Sequence, residues 1–346
     1  MSTANLKSKR RSEFGFRTFA FLVVLLGSIT VLVPVAYVIT NSLSSKETIK
    51  TVPQSLVPRE TYKMDVDGTP SFVYNLTVDG QKKQLVVVQK GGENWTYADP
   101  SDLTKTWSLP AAAPDQRATK VVVHTENFAT ALTKAPFGQY ILNTLFIVVL
   151  AAAGTVVSSL LVAFGFARFR APGMSAMFLI LLGTIMLPSQ VTLIPTFILF
   201  QKIGWYNTWL PLIVPAFFAN AWDVFLIRQF FMGLPLELDE AAKIDGCGPM
   251  RTLWHVILPQ SVPVVLTVLL FTIIYVWNDF FTPLIYLQDP KLYTVAVGLE
   301  SFNALYFQQA HLQAAGALMM LIPPVILFFL AQKYFIQGTV VSGVKG

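Results

Sequence analysis

Glu240-Ala241-Ala242-Lys243-Ile244-Asp245-Gly246, running on through Arg251 to Ile257-Leu258-Pro259, is a polar stretch broken by glycine and proline and set between long apolar runs. Gly233-Leu234-Pro235 predicts the stop of one helix and the start of another, with Pro235 suited to a first helical turn. Glu237, Asp239 and Glu240 then fall where acids complement the positive end of the helix dipole. Ala241 and Ala242 predict a small surface that another molecule can approach closely. Gly246 and Gly248 end this helix, and Pro249 starts a second one that runs through Arg251 and Trp254 to Pro259. The expected product is a short helix, a glycine elbow, and a second helix near a membrane surface. Taken alone, such a pair fits either an amphipathic element on lipid headgroups or a docking element for a soluble partner. Interfacial helices usually carry Lys and Arg on the polar face, whereas this one opens with three acids, and that favours the partner.

The membrane setting follows from composition. Of 346 residues, 54% are hydrophobic and 13% charged, with a mean hydropathy of +0.57; soluble domains carry about a quarter charged residues. The net charge of +6 raises nucleic acid as a ligand, but no basic stripe interleaved with aromatics accompanies it. Cys247 is the only cysteine, and His124, His255 and His311 have no ligand spacing among them, so no metal site is expected.

A crossing needs roughly 20 mainly apolar residues, and six stretches are predicted to qualify: Phe16–Ser42, Tyr140–Phe166, Met174–Phe200, Trp209–Phe230, Ser261–Leu287 and Leu312–Phe335. The first run is too long for a cleaved signal and reads as an anchor. Basic residues flank one side: Lys7, Lys9, Arg10, Arg11 and Arg17, then Arg168 and Arg170, then Arg228, Lys243 and Arg251, then Lys333 and Lys345. By the positive-inside bias both termini and the Glu240 segment are expected in the cytoplasm. The expected fold is therefore an all-α polytopic membrane protein with six transmembrane helices and a small β-rich extracytoplasmic insert. Its divisions are a cytoplasmic N-terminus (1–15), a first span (16–42), an outer loop (43–137) with the insert at about 60–124, a five-helix core (138–335) that includes the cytoplasmic loop 231–260, and a cytoplasmic tail (336–346).

In the insert, Phe72–Val78 and Leu85–Val88 alternate as strands do, and Asp79-Gly80 between them is a hairpin signal. Gly91-Gly92 with Trp95-Thr96-Tyr97 predicts a further turn and strand, and Pro110–Pro114 a linker. The piece is small for a stable separate domain, so a few strands packed on a neighbour are expected. Among the spans, Gln190, Asn220, Asp223, Asn278 and Asp279 are candidate pathway or gate residues, because ionisable and polar groups inside a membrane are rare. Pairing with one another or with another subunit is the alternative for each. Gly154 and Gly316, each beside alanines, predict close helix packing.

Glu240-Ala241-Ala242 followed by Gly246 and then by Ile257-Leu258-Pro259, placed before the penultimate span, resembles the EAA loop of ABC importer membrane subunits. The stretches Pro136–Thr144, Phe164–Arg168, Leu187–Val191, Arg228–Phe231 and Trp277–Phe280 extend the resemblance to the carbohydrate importer permeases, MalG-like subunits of the maltose and glycerol-3-phosphate type. The resemblance covers residues 12–50 and about 126–346, and the insert departs from it in length. It implies a bacterial inner-membrane subunit with no nucleotide site and no enzymatic activity of its own. Glu240, Ala241, Ala242, Asp245, Gly246, Arg251 and Pro259 would couple to a separate ATPase. Ser342, Gly343 and Lys345 of the tail would reach between the ATPase subunits. The implied partners are a second, MalF-like permease, two MalK-like ATPase subunits holding ATP and Mg2+, an extracytoplasmic sugar-binding protein that the insert is expected to contact, and membrane lipid. No Gly-x-x-x-x-Gly-Lys-Ser/Thr is present for nucleotide phosphates. Two rival readings are an ion-coupled secondary transporter using Asp223 and Asp279, and a membrane receptor with residues 43–137 as its sensor. Six spans without an evident internal repeat weaken the first, and the lack of a cytoplasmic output module weakens the second.

Overall fold

The computed structural model describes residues 3–51, 55–304 and 309–340, which fall into two compact units. The first comprises Met1–Lys134 with Phe302–Leu318. It opens with α1 (Thr3–Ser42) and the short α2 (Lys46–Thr51). Seven strands follow: β1 (Arg59–Thr61), β2 (Lys63–Val66), β3 (Thr69–Val78), β4 (Gln81–Gln89), β5 (Asn94–Asp99), β6 (Asp102–Pro110) and β7 (Thr119–Val121), and then α3 (Glu126–Lys134). Strands β2 to β6 form one antiparallel meander, while β1 pairs with β7. Val78 lies opposite Gln81, so Asp79-Gly80 is a two-residue turn with positive φ at both positions (52° and 76°), the geometry that matches strand twist.

The insert is better packed than its length suggests. Tyr74, Leu85, Val87 and Tyr97 fill one face, and Val73, Val86 and Ala98, with Ala118, fill the other. Alternation along each strand supplies both sets, so Val86 and Val87 feed opposite faces, while Val88, at a register irregularity, is exposed. Burial holds the Tyr97 phenol above its usual pKa, and its hydroxyl accepts the Ala112 N–H at 2.8 Å. Glu47 is held below the usual carboxylate range by its hydrogen bond from Lys63, which ties α2 to β2. In the same unit Asn127 of α3 donates to the Ser42 and Ser44 carbonyls at 2.9 and 3.0 Å, fixing the exit of α1.

The second unit comprises Ala135–Ser301 with Met319–Gly346. Its elements are α4 (Phe137–Arg168), α5 (Met174–Thr184), α6 (Ser189–Lys202), α7 (Leu210–Ile213), a 3-10 stretch (Val214–Phe218), α8 (Ala221–Gly233), α9 (Glu237–Ile244), α10 (Pro249–Thr252), a π-helical turn (Leu253–Ile257), α11 (Leu258–Gln260), α12 (Val262–Asn278), α13 (Phe281–Tyr286) and α14 (Val295–Ala304). Last comes α15 (Ala310–Val340), which contributes residues to both units. Among the described residues, four helices are long and apolar enough to cross a membrane: Gly15–Ser42, Phe137–Arg168, Leu210–Gly233 and Ala310–Gln332. A fifth candidate is the pair Pro249–Gln260 and Val262–Asn278, bent by 84°.

The predicted span Met174–Phe200 is not one helix. It breaks after Thr184 and resumes at Ser189, and Pro188 at the junction cannot donate the helical hydrogen bond that continuity requires. The predicted span Ser261–Leu287 likewise breaks, at Asp279-Phe280 between α12 and α13.

A core of Leu160, Phe164, Val224, Phe231, Leu253 and Val268 joins α4, α8, α12 and the π-helical turn. Two glycines permit close approach. A Cβ on Gly154 would lie 2.6 Å from the Phe217 ring, and one on Gly298 would collide with the Tyr140 ring. Tyr140 is only 4% exposed, so moving its ring disturbs packed neighbours. Gly298→Ala is therefore expected to destabilise the membrane domain by about 1–3 kcal/mol, the usual range for overpacking, and to lower its melting temperature in detergent. Gly298→Ala combined with Tyr140→Ala should recover part of the loss. An unchanged melting temperature in the single variant would show that the ring yields.

Candidate functional site

Two places in the second unit concentrate chemistry. The first is the polar segment after α8. The helix α9 closes with Cys247 N–H donating to Ala242 O at 2.8 Å and Gly246 N–H to Lys243 O at 3.1 Å. Gly246 sits at φ 76°. This is the paired-bond ending in which a left-handed residue satisfies the last carbonyls, and it selects glycine because a Cβ is disfavoured there. Pro249 then opens the next helix, which buries Leu253 and Ile257, four residues apart, in the bundle core.

What remains outside is a distinct surface. Glu240, Ala241, Lys243, Asp245, Gly246 and Arg251 are exposed. So are four apolar side chains: Leu236 (54%), Ile244 (86%), Met250 (58%) and Trp254 (41%). Ala242 is buried, so of the alanine pair only Ala241 faces outward. Pro259 is exposed near the bend between α11 and α12. Ser342, Gly343 and Lys345 lie outside the described residues.

Arg168 carries a role that the sequence did not reveal. At the C-terminal end of α4 it is 7% exposed, with Nε 3.1 Å from Asp239 Oδ2 on α9, and its Nη2 donates to the Leu234 carbonyl at 3.3 Å. Arg228 of α8 makes a parallel tie. It donates to Phe166 O at 3.2 Å, and its guanidinium lies 4.0 Å from the centre of the Phe178 ring. The exposed segment thus hangs on the bundle through a buried cation and a glycine cap.

The second place is a cavity of about 860 Å³ whose lining draws on α4, the 3-10 stretch, α8, α12 and α13. Three of the predicted pathway residues, Asn220, Asp223 and Asp279, meet there, together with Trp222, Tyr275 and hydroxyls such as Thr282 and Thr294. Gln190 on α6 and Asn278 on α12 are not in the lining. Gln190 is exposed, and Asn278 donates to its own helix at Ile274 O, 2.8 Å away. Asn143 is also structural: it donates to the Lys291 and Tyr293 carbonyls at 2.8 and 3.0 Å.

Local geometry fixes the cavity residues. The apolar run Leu210–Gly233 is interrupted at Ala219, a non-glycine residue at φ 53°, whose N–H donates to Ser158 Oγ at 3.1 Å. Asn220 caps α8 by accepting the Trp222 N–H at 2.8 Å. Asp223, in the first turn, complements the N-terminal end of the helix. Asp279 accepts the Thr282 N–H at 3.1 Å where α12 gives way to α13. Among the described residues, no three His, Cys, Asp or Glu side chains converge to hold a metal ion.

A bundle of apolar helices, a broken helix bordering a cavity that holds Asn220, Asp223 and Asp279, and a capped helix pair outside it fit a membrane transport subunit. The chain belongs to the family of binding-protein-dependent transport system inner membrane components, whose pattern residues 155–341 match. It is a permease subunit of the ABC transporter type, a transport component and not an enzyme. The chain is 34% identical over 242 residues to a probable ABC transporter permease of Bacillus subtilis (strain 168), covering 70% of this chain and 77% of that one. It is 33% identical to an arabinooligosaccharide transport system permease of Halalkalibacterium halodurans, covering 64% of this chain and 79% of that one. It is 34% identical to an sn-glycerol-3-phosphate transport system permease of Yersinia pestis, covering 60% and 74%. A chain of a solved bacterial ABC transporter involved in import of the acidic polysaccharide alginate shares the fold, with a TM-score of 0.68 at 18% identity over 94% of this chain and 98% of that one.

Proposed function

We propose that this chain is one of two permease subunits of an ATP-driven, binding-protein-dependent importer of sugars or sugar derivatives in a bacterial inner membrane. In this reading it crosses the membrane six times, with the two helices broken at Pro188 and the bend before α12 completing the count. Both termini and the Glu240 segment are cytoplasmic, and the sheet-bearing insert is on the outside, toward the receptor. The capped pair α9–α10 seats in a cleft of one of two ATPase subunits, which hold the ATP and Mg2+, and the tail at Ser342, Gly343 and Lys345 reaches between them. Closure of the ATPases on nucleotide would then favour one of two packings of the bundle.

The observation that carries this reading is the exposure of Leu236, Glu240, Ala241 and Ile244 on and beside the glycine-capped α9, and of Met250 on α10, with α9 joined to the bundle by Arg168 and Asp239. A face that leaves Ile244 86% exposed beside acids suits a protein cleft better than anionic lipid. The sugar assignment rests on the cargoes in the relatives' names, which include neutral and acidic compounds and leave the charge of the cargo open.

The test is co-purification from native membrane followed by ATP hydrolysis with and without the extracytoplasmic receptor. The wild type should retain an ATPase and a second permease. Glu240→Lys should cut receptor-stimulated hydrolysis by about tenfold or more, the effect of losing about 1.4 kcal/mol at the docking face. Purification of the chain alone, together with wild-type behaviour of Glu240→Lys, would return Asp223 and Asp279 to consideration as sites of ion-driven transport.

A further inference from the structure

The cavity beside α8 carries a charge pattern that the family assignment does not explain. Asp223 is 6% exposed and Thr294 is 3% exposed, and both line the cavity. Among the described residues the Asp223 carboxylate has no hydrogen-bond or ion-pair partner, and Thr294 Oγ1 is buried without one. Buried polar groups are nearly always satisfied, so the buried, unpartnered Thr294 hydroxyl, with the Asp223 carboxylate open to the same cavity, points to a ligand that completes them. An ionised carboxylate only accepts, so the ligand must donate.

The lining also contains no Lys, Arg or His. Asp279, the second acid, keeps a carboxylate within the same cavity and spends one acceptor site on the Thr282 N–H. The N-terminal end of α8, which would otherwise attract an anion, already has Asp223 in its first turn and the Asn220 side chain on the Trp222 N–H. Trp222, half exposed, adds a flat apolar ring to the same lining. Flat apolar area, hydrogen-bond acceptors and hydroxyls suit a ring with an apolar face and a rim of hydroxyl groups.

We infer that this cavity is a charge-selecting cargo site, which admits neutral, hydroxyl-rich sugars through donation to Asp223 and Thr294 and excludes sugars bearing carboxylate or phosphate. The inference rests on the sugar-importer reading and narrows its cargo to the uncharged members. An acidic cargo would place like charges beside Asp223 and Asp279, with no cation in the lining of this chain to offset them.

The experiment uses the complete transporter in lipid nanodiscs, without nucleotide or receptor, titrated with maltotriose, arabinotriose and trigalacturonic acid by calorimetry. At least one neutral trisaccharide is expected to bind about tenfold tighter or more than the uronate, a gap of about 1.4 kcal/mol. Asp223→Asn keeps the shape and removes the charge, and should narrow that gap to about threefold or less. ATP hydrolysis stimulated by receptor reports whether the variant is folded and coupled. Equal or tighter binding of the uronate by the wild type, or a gap unchanged in Asp223→Asn, overturns the inference. So does absence of binding by all three probes in a transporter whose ATPase still responds to receptor, and that result leaves the permease reading intact. Absence of any ATPase in the purified complex falls on the permease reading instead.

Discussion

Gly246→Val is expected to reduce receptor-stimulated ATP hydrolysis and sugar uptake by more than about tenfold, while Gly246→Asn keeps most of both. Gly246 holds φ at 76°, and no atom lies within 4 Å of where a Cβ would be. A substitution there meets no steric neighbour, so its whole effect comes from the backbone. The left-handed conformation costs an ordinary L-residue roughly 1–2 kcal/mol, and a β-branched residue is a genuine outlier there. Asparagine visits this region far more readily. Losing the conformation also releases the bonds from Cys247 to Ala242 and from Gly246 to Lys243. The exit from α9 then re-aims α10, which moves the exposed Met250 and Trp254 relative to Ile244. A shift of about 2 kcal/mol corresponds to roughly thirtyfold in the fraction correctly shaped. Both variants should reach the membrane in wild-type amounts by immunoblot, because Gly246 lies outside the bundle core. Equal losses in valine and asparagine variants would mean that the position is read by its size and not by its backbone; no loss in either would remove the elbow from the mechanism.

Much of this segment was legible because its signals are local. Glycine at a helix end, proline at a first turn and acids in the first turn each act over a few residues, so α9 and α10 could be read directly. The hairpin at Asp79-Gly80 was legible for the same reason. Apolar runs gave the places where the chain is hydrophobic enough to cross, but not whether a helix continues through each run. Pro188 and Pro195 flanking Gln190 predict a bend in the span Met174–Phe200, but only the fold shows that α5 ends at Thr184 and α6 begins at Ser189. Ala219 broke its helix with no glycine to announce the positive φ. Its support, Ser158, is 61 residues away. Long-range pairing has no local signature, which is why Arg168 read as a topological charge and not as the partner of Asp239. The same distance hid the convergence of Asp223 and Asp279, and left Gln190 and Asn278 looking equal to them.

Arg168→Met should separate the capped helix from the bundle without unfolding the bundle. The arginine is 7% exposed and Asp239 25% exposed, so the pair is screened far less than a surface salt bridge. Removing one partner of a buried pair costs about 3–5 kcal/mol, because the other charge is left without compensation; the residual exposure of Asp239 puts the expected cost nearer 2–3 kcal/mol, by the same principle discounted for water. The Leu234 carbonyl loses its donor as well. Methionine fills similar volume with apolar atoms, so the packing of Phe164 against Phe169 and Phe231 should persist. The melting temperature of the bundle should therefore fall little, while amide exchange in residues 237–246 rises by at least about tenfold and uptake drops with it. Arg168→Met combined with Asp239→Leu removes the orphaned carboxylate and should restore slow exchange, since an apolar pair of similar volume often replaces a buried ion pair at little cost. That double variant separates anchorage from charge. If it recovers slow exchange and uptake together, Arg168 acts by holding α9 in place. Recovery of exchange without uptake would mean that the charge itself is used when the ATPase docks.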